Sequence, residues 1–117
     1  MPVRGIRRRY LLFYITGEHP IDEKAIWETM RNSILTLYGV KGFSLIDPNL
    51  IEYNAETRNG IIRCTHDTDR FMRASLASIM SLSGAPTAFR VQRTSGTIKA
   101  LRRKTGIEKL KKIRIRE

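Results

Sequence analysis

The segment Arg8 to Thr16 constrains this chain more than any other. β-Branched and aromatic side chains dominate it, and strand alternation puts Leu11, Phe13 and Ile15 on one face and Tyr10, Leu12 and Tyr14 on the other. A strand that is apolar on both faces belongs in the middle of a sheet. The rest of the chain must therefore supply neighbours for its edges and cover for its faces.

Gly17 to Pro20 breaks the strand, and Asp22 stands where it can cap a helix in which Ile26, Met30, Ile34 and Leu37 recur at helical spacing. Gly39 is the expected end of that helix. Gly42 to Ile46 and Leu50 to Tyr53 then read as short strands split by the turn Asp47-Pro48-Asn49. Asn59-Gly60 marks a tight reversal, with Ile61 to His66 as the returning strand. Asp67 is placed to cap a second helix reaching about Leu82, with Phe71, Leu76, Ile79 and Met80 as core candidates and with Ala74, Ala77 and several serines making its surface small. Gly84-Ala85-Pro86 stops it. Thr87 to Thr94 alternates Phe89 and Val91 against Arg90 and Gln92, and Ser95-Gly96-Thr97 opens a basic helix through Lys104.

This order predicts an α+β fold, a ferredoxin-like, RNA-recognition-motif-like α/β sandwich (βαββαβ) with an extra C-terminal helix. One domain is expected over residues 1–117: a basic segment 1–8, a core of about 8–94, and a basic helix and tail of about 95–117. Right-handed crossovers place both longer helices on one sheet face and leave the other face for something else.

The charge is not spread over this frame. Of 22 Lys and Arg residues against 11 Asp and Glu, residues 1–10 hold Arg4, Arg7, Arg8 and Arg9 with no acid, and residues 90–117 hold eleven cations against Glu108 and Glu117. The middle of the chain sums to −2. Arginine-rich ends suit phosphate, because the guanidinium fork pairs with it through two hydrogen bonds as well as through charge; the alternative is that these ends are only solvated. A membrane-surface helix would need a wide apolar face, and Ile107, Leu110, Ile113 and Ile115 of the tail do not make one. No apolar run is long enough to span a bilayer, and the basic start lacks the apolar stretch of a signal peptide, so a cytoplasmic location and no membrane partner are expected.

Catalytic chemistry finds little to work with. Cys64 is the single cysteine and sits in an apolar run, as a small core residue does. His66, Asp67 and Asp69, with His19, are the material for a hydrolase, yet a helix cap and a favourable helix-dipole contact account for the two acids. No catalytic residue, metal site or bound cofactor is expected. The strand Ile61 to His66 lacks the aromatics on which RNA-recognition motifs stack bases, which leaves Tyr10 and Tyr14 for that role or for packing. Thr94-Ser95-Gly96-Thr97 at a strand-to-helix junction could bind an anion or simply cap the helix.

Arg9-Tyr10-Leu11-Leu12, Tyr53-Asn54 followed by Thr57, Gly60-Ile61-Ile62-Arg63-Cys64, Arg73-Ala74 with Leu76 and Ile79, and Ser95-Gly96-Thr97-Ile98-Lys99, taken in order, resemble the archaeal ribonuclease P protein component 2 family and its eukaryotic counterpart. The resemblance implies a non-catalytic subunit of the ribonucleoprotein that removes the 5′ leader from precursor tRNA, with cleavage carried by the RNA and its Mg²⁺. It also implies ribonuclease P RNA, precursor tRNA and the component 3 protein as partners, the last in a heterotetramer with two copies of each protein. The alternative is a general RNA-binding or ribosome-associated module. Motif and charge together nominate Arg7, Arg8, Arg9, Arg63, Arg90, Arg93, Ser95, Thr97, Lys99, Arg102, Arg103 and Lys104 for RNA contact. Tyr10, Leu12, Tyr14, Ala74 and Ala77 are the candidates for protein contact.

Overall fold

The computed structural model describes residues 7–17 and 21–105. Strand β1 (Arg8–Ile15) leads to helix α1 (Glu23–Ile46), strands β2 (Asn49–Asn54) and β3 (Asn59–Thr65), a 3₁₀ turn (His66–Thr68) and helix α2 (Asp69–Ala77). A two-strand hairpin, β4 (Ser81–Leu82) and β5 (Ala85–Pro86), precedes strand β6 (Phe89–Ser95) and helix α3 (Ile98–Thr105). The main sheet has the order β2-β3-β1-β6 with antiparallel neighbours, so each of the two β-α-β crossovers is split by a strand of the other, the ferredoxin-like arrangement. β1 is interior, as its two apolar faces require.

One sheet face carries the main core. Leu11, Phe13 and Ile15 of β1 meet Ile62, Cys64, Leu50 and Phe89 from the other strands, under Ile26, Met30 and Ile34 of α1 and Met72 and Leu76 of α2. Phe13 and Phe89 stack with centroids 5.9 Å apart. Among the described residues no helix is long and apolar enough to cross a membrane.

Three local expectations are corrected. Gly42 to Ile46 is helix, not strand: Gly39, at φ 74° and ψ −177°, ends the first helical stretch as expected, but a second stretch of α1 resumes beyond this kink until Ile46 is buried and Asp47 closes the end in the left-handed conformation. The second helix stops at Ala77 rather than Leu82. The Ser75 and Ser78 hydroxyls donate to the Phe71 and Ser75 carbonyls, and Ser83-Gly84, both at positive φ, form the two-residue turn of a hairpin instead. Met80 is consequently 79% exposed, not core, and Leu37 is exposed as well. Asp67 caps nothing; it lies in the 3₁₀ turn with its carboxylate in solvent.

The reversal after β2 also falls earlier than Asn59-Gly60. Asn54 Oδ1 accepts the Glu56 and Thr57 amides, Arg58 takes the left-handed conformation, and Asn59 and Gly60 are already paired with Asn54 and Tyr53. Gly60 is required by closeness, since a Cβ there would lie 2.5 Å from the Glu52 carbonyl oxygen. Arg58 is buried and donates to the Ile15 and Thr16 carbonyls, tying this loop to the end of β1.

Candidate nucleic-acid interface

Residues opposite each other on antiparallel strands share a face, so the register reads out what the other side of the sheet presents. Three rows cross it: Arg63, Tyr10 and Ser95; Ile61, Leu12 and Arg93; Asn59, Tyr14 and Arg90. Two irregularities in the pairing decide part of this set. Strict alternation from Leu50 would send Glu52 to the core, and strict alternation from Val91 would send Arg93 there. Bulges at Ile51 and Gln92 instead place Glu52 opposite Ile61 and Arg93 opposite Leu12, both on the outer side.

That outer side is not bare. α3 leaves β6 through Ser95-Gly96-Thr97 and folds back over the sheet, seating Leu101 against Leu12 and Ile61 with Tyr10 and Ile51 at the margin. The helix is capped in the ordinary way: Thr97 Oγ1 accepts the Ala100 amide at 3.1 Å and Ser95 Oγ accepts the Thr97 amide at 3.4 Å. Arg102 reaches the far edge of the sheet and pairs with Glu52, which is buried. Leu12 is 4% exposed beneath Leu101, so while α3 is docked it has no surface to offer a partner protein.

The nominated cations fall into two groups. Arg63, Arg90 and Arg93 on the sheet and Lys99, Arg102 and Arg103 on α3 come together on the outer side, where the register places one carboxylate, Glu52. Arg90, Arg93, Lys99 and Arg103 are exposed, and Arg63 carries a buried Nε with no hydrogen-bond partner among the described residues. Arg8 and Arg9 are held elsewhere. Arg8 bonds Asp47 at 2.9 Å beyond the end of α1, and Arg9, opposite Cys64 on the core side, lies 3.8 Å from Asp69 of α2. Arg7 is exposed and lends its carbonyl to the His66 amide. The Lys104 side chain, His19 and the basic tail past Thr105 lie outside the described residues.

The titratable groups off this face have local roles. Cys64 is fully buried on the core side, and burial, reinforced by the nearby Asp69 carboxylate, pushes its thiol up to about 12. Tyr53 is raised by burial and partly offset by Arg58. His66 Nδ1 lies 3.2 Å from Asp67 Oδ1 on an open turn. Among the described residues no three His, Cys, Asp or Glu side chains gather as a metal site would need. Ala74 and Ala77 are exposed on α2, and a groove of about 370 Å³ between α1 and the segment after α2 is lined by Leu37, Ile79 and Met80 among serine, threonine and asparagine side chains.

The sequence reading did not name Glu52 and gave no sign that Arg102 is paired. Charge alone counted Arg102 among free cations; its partner lies 50 residues away in the chain and faces it only because of the bulge at Ile51.

Fold and face together define a class: a ferredoxin-like domain whose outer sheet face is strongly basic and partly covered by its own C-terminal helix. Residues 9–105 match the Rpp14/Pop5 family, and the chain belongs to it. It is 36% identical over 107 residues to "Ribonuclease P protein component 2" of Thermococcus gammatolerans and 30% identical over 103 residues to the protein of that name from Pyrococcus horikoshii, in each case across 88% of this chain and 86% of the relative. Among solved structures, a chain in the cryo-EM structure of yeast ribonuclease MRP superposes with a TM-score of 0.63 at 18% identity, over 78% of this chain and 75% of that one, which extends the agreement in fold.

Proposed function

We propose that this chain, a protein component of a ribonuclease P-type ribonucleoprotein, supports removal of the 5′ leader from precursor tRNA by holding phosphates of the catalytic RNA on its outer sheet face. The observation that carries this reading is the gathering of Arg63, Arg90, Arg93, Lys99 and Arg103, from two strands and a helix, on one side of the molecule. Sequence separations of up to 40 residues are closed by the fold to make a single positive surface. Such a surface lowers the repulsion between RNA segments that must crowd together, and with it the Mg²⁺ concentration at which the RNA adopts its working shape. In this reading Mg²⁺ belongs to the RNA, the chain contributes no catalytic group, and the protein acts in the cytoplasm.

The helix side is left for protein. Leu37 and Val40 of α1 and Met80 after α2 are exposed apolar side chains, and the small residues Ala74 and Ala77 are exposed on α2, surfaces suited to the component 3 protein in an assembly with two copies of each.

The test is cleavage of precursor tRNA at low Mg²⁺ by ribonuclease P RNA and component 3, with and without this chain. Restored 5′ processing on addition, with no cutting by the protein alone, is the expected result. No effect of addition, together with equal affinity for unrelated RNAs at matched salt, would replace this reading with general RNA binding.

A further inference from the structure

Glu52 is acidic on a face where its charged neighbours are basic. It is 6% exposed, gives Oε2 to Arg102, and keeps Oε1 buried with no hydrogen-bond partner among the described residues. Burying a carboxylate costs free energy that a single ion pair recovers only in part, and beneath a phosphate-binding surface the carboxylate has the wrong sign. Its partner helix explains why it is useful.

α3 has eight residues, too few for a helix to persist by itself in water, so its place depends on what it touches. Leu101, buried against Leu12 and Ile61, anchors it over β1 and β3 and sets which side faces the sheet, but an apolar contact has little direction and leaves some freedom to roll about the axis. The pair between Arg102 and Glu52 at the β2 edge removes that freedom. Lys99 and Arg103, four residues apart, share the side of the helix opposite Leu101, while Arg102 points about 60° away from Lys99 and about 100° away from Arg103, on the flank toward Glu52. With Arg102 turned down to Glu52, Lys99 and Arg103 stand exposed.

We infer that Glu52 is a positioning residue for RNA binding: it withdraws Arg102 from the RNA ligands and locks α3 in the rotation that keeps Lys99 and Arg103 exposed on the same side of the molecule as the sheet arginines. This rests on the reading of the outer face as a phosphate-binding surface. It makes a prediction opposite to that of charge. Glu52→Gln makes the protein more positive by one and keeps the side chain's shape, so electrostatics alone predicts tighter binding; loss of the helix rotation predicts weaker binding.

The experiment measures binding of the full chain to ribonuclease P RNA over a salt series, together with amide hydrogen exchange of the free protein. Glu52→Gln is expected to bind roughly fivefold or more weakly, with the log-log salt slope reduced by about 1.4 to 1.8 for two lost phosphate contacts. Amides of α3 should exchange faster while those of β1 and β3 keep their protection, and the exchanged pair Glu52→Arg with Arg102→Glu should restore both readouts. Tighter binding, an unchanged slope or unchanged α3 exchange overturns the inference. Should Glu52→Gln also loosen the sheet, Arg102→Gln breaks the same pair from the helix side and is judged by the same criteria. Lys99→Ala with Arg103→Ala is the control on the underlying reading: if that variant leaves the slope unchanged, the phosphate-binding role of α3 fails, and the exchange arm alone then decides whether Glu52 holds the helix.

Discussion

The two faces of the sheet use the same four strands for different ends. The core side is sealed by two helices with large side chains: Phe13, Ile26, Met30, Ile34, Met72 and Leu76 are all fully buried, and two rings stack across β1 and β6. The outer side is covered by one short helix that seats Leu101 on Leu12 and Ile61 and pairs Arg102 with Glu52, and much of the rest is arginine, lysine and tyrosine. Stability is concentrated on one face so that the other can present charge. The difference also teaches why α3 can tolerate so little apolar contact: a larger hydrophobic interface would hide the cations that the face exists to display.

This comparison can be broken most directly by equal truncations on its two sides. Phe13→Ala should cost about 3–5 kcal/mol in chemical unfolding, since the stacked ring leaves a cavity that β1 and the helices cannot close. Leu101→Ala should fall near the lower end of the usual Leu→Ala range, about 2 kcal/mol, because a small helix at the surface can settle into the gap. Equal costs at the two positions would mean that the outer face shares in the core. The buried thiol sharpens the same contrast through pH. Unfolded Cys64 ionises near its ordinary value of 9, while the folded thiol, pushed up to about 12, keeps its proton, so the native state holds more protons and stability declines as pH rises between those values. At pH 10 that loss should be about 1 kcal/mol, and Cys64→Ala should lack it when the two proteins are unfolded side by side at pH 7 and pH 10.

Much of the core side could be read from the chain, and much of the outer side could not. The inward set Leu11, Phe13, Ile15 and Phe89 follows from period-two alternation, and the start of α3 from the Ser95-Gly96-Thr97 cap, because both are local patterns. Glu52 and Arg93 defeat alternation, each displaced by one bulged residue, and a bulge is set by how two distant strands meet rather than by either strand alone. Leu12 reads as open surface until a helix nearly 90 residues later is folded onto it. Gly39 was a true break in helical geometry, yet the chain needed only a corner there, since Ile46 had still to reach the core.

The smallest effect on stability is expected where a large effect on binding should appear. Arg90 and Arg93 sit in the rows of Tyr14 and Leu12, with exposed side chains for which no hydrogen bond or ion pair is found among the described residues. Replacing both with alanine should therefore change unfolding free energy by no more than about 0.5 kcal/mol. If each meets a phosphate, the same double variant should lower the slope of log affinity against log salt by about 1.4 to 1.8, uniformly across RNA sequences, because phosphate contacts carry no base information. A stable variant with an unchanged slope would remove β6 from the interface and leave α3 and Arg63 to bind. A variant that loses stability by more than 1 kcal/mol would show instead that the arginines, through their aliphatic stems over Leu12 and Tyr14, are part of what closes the outer face.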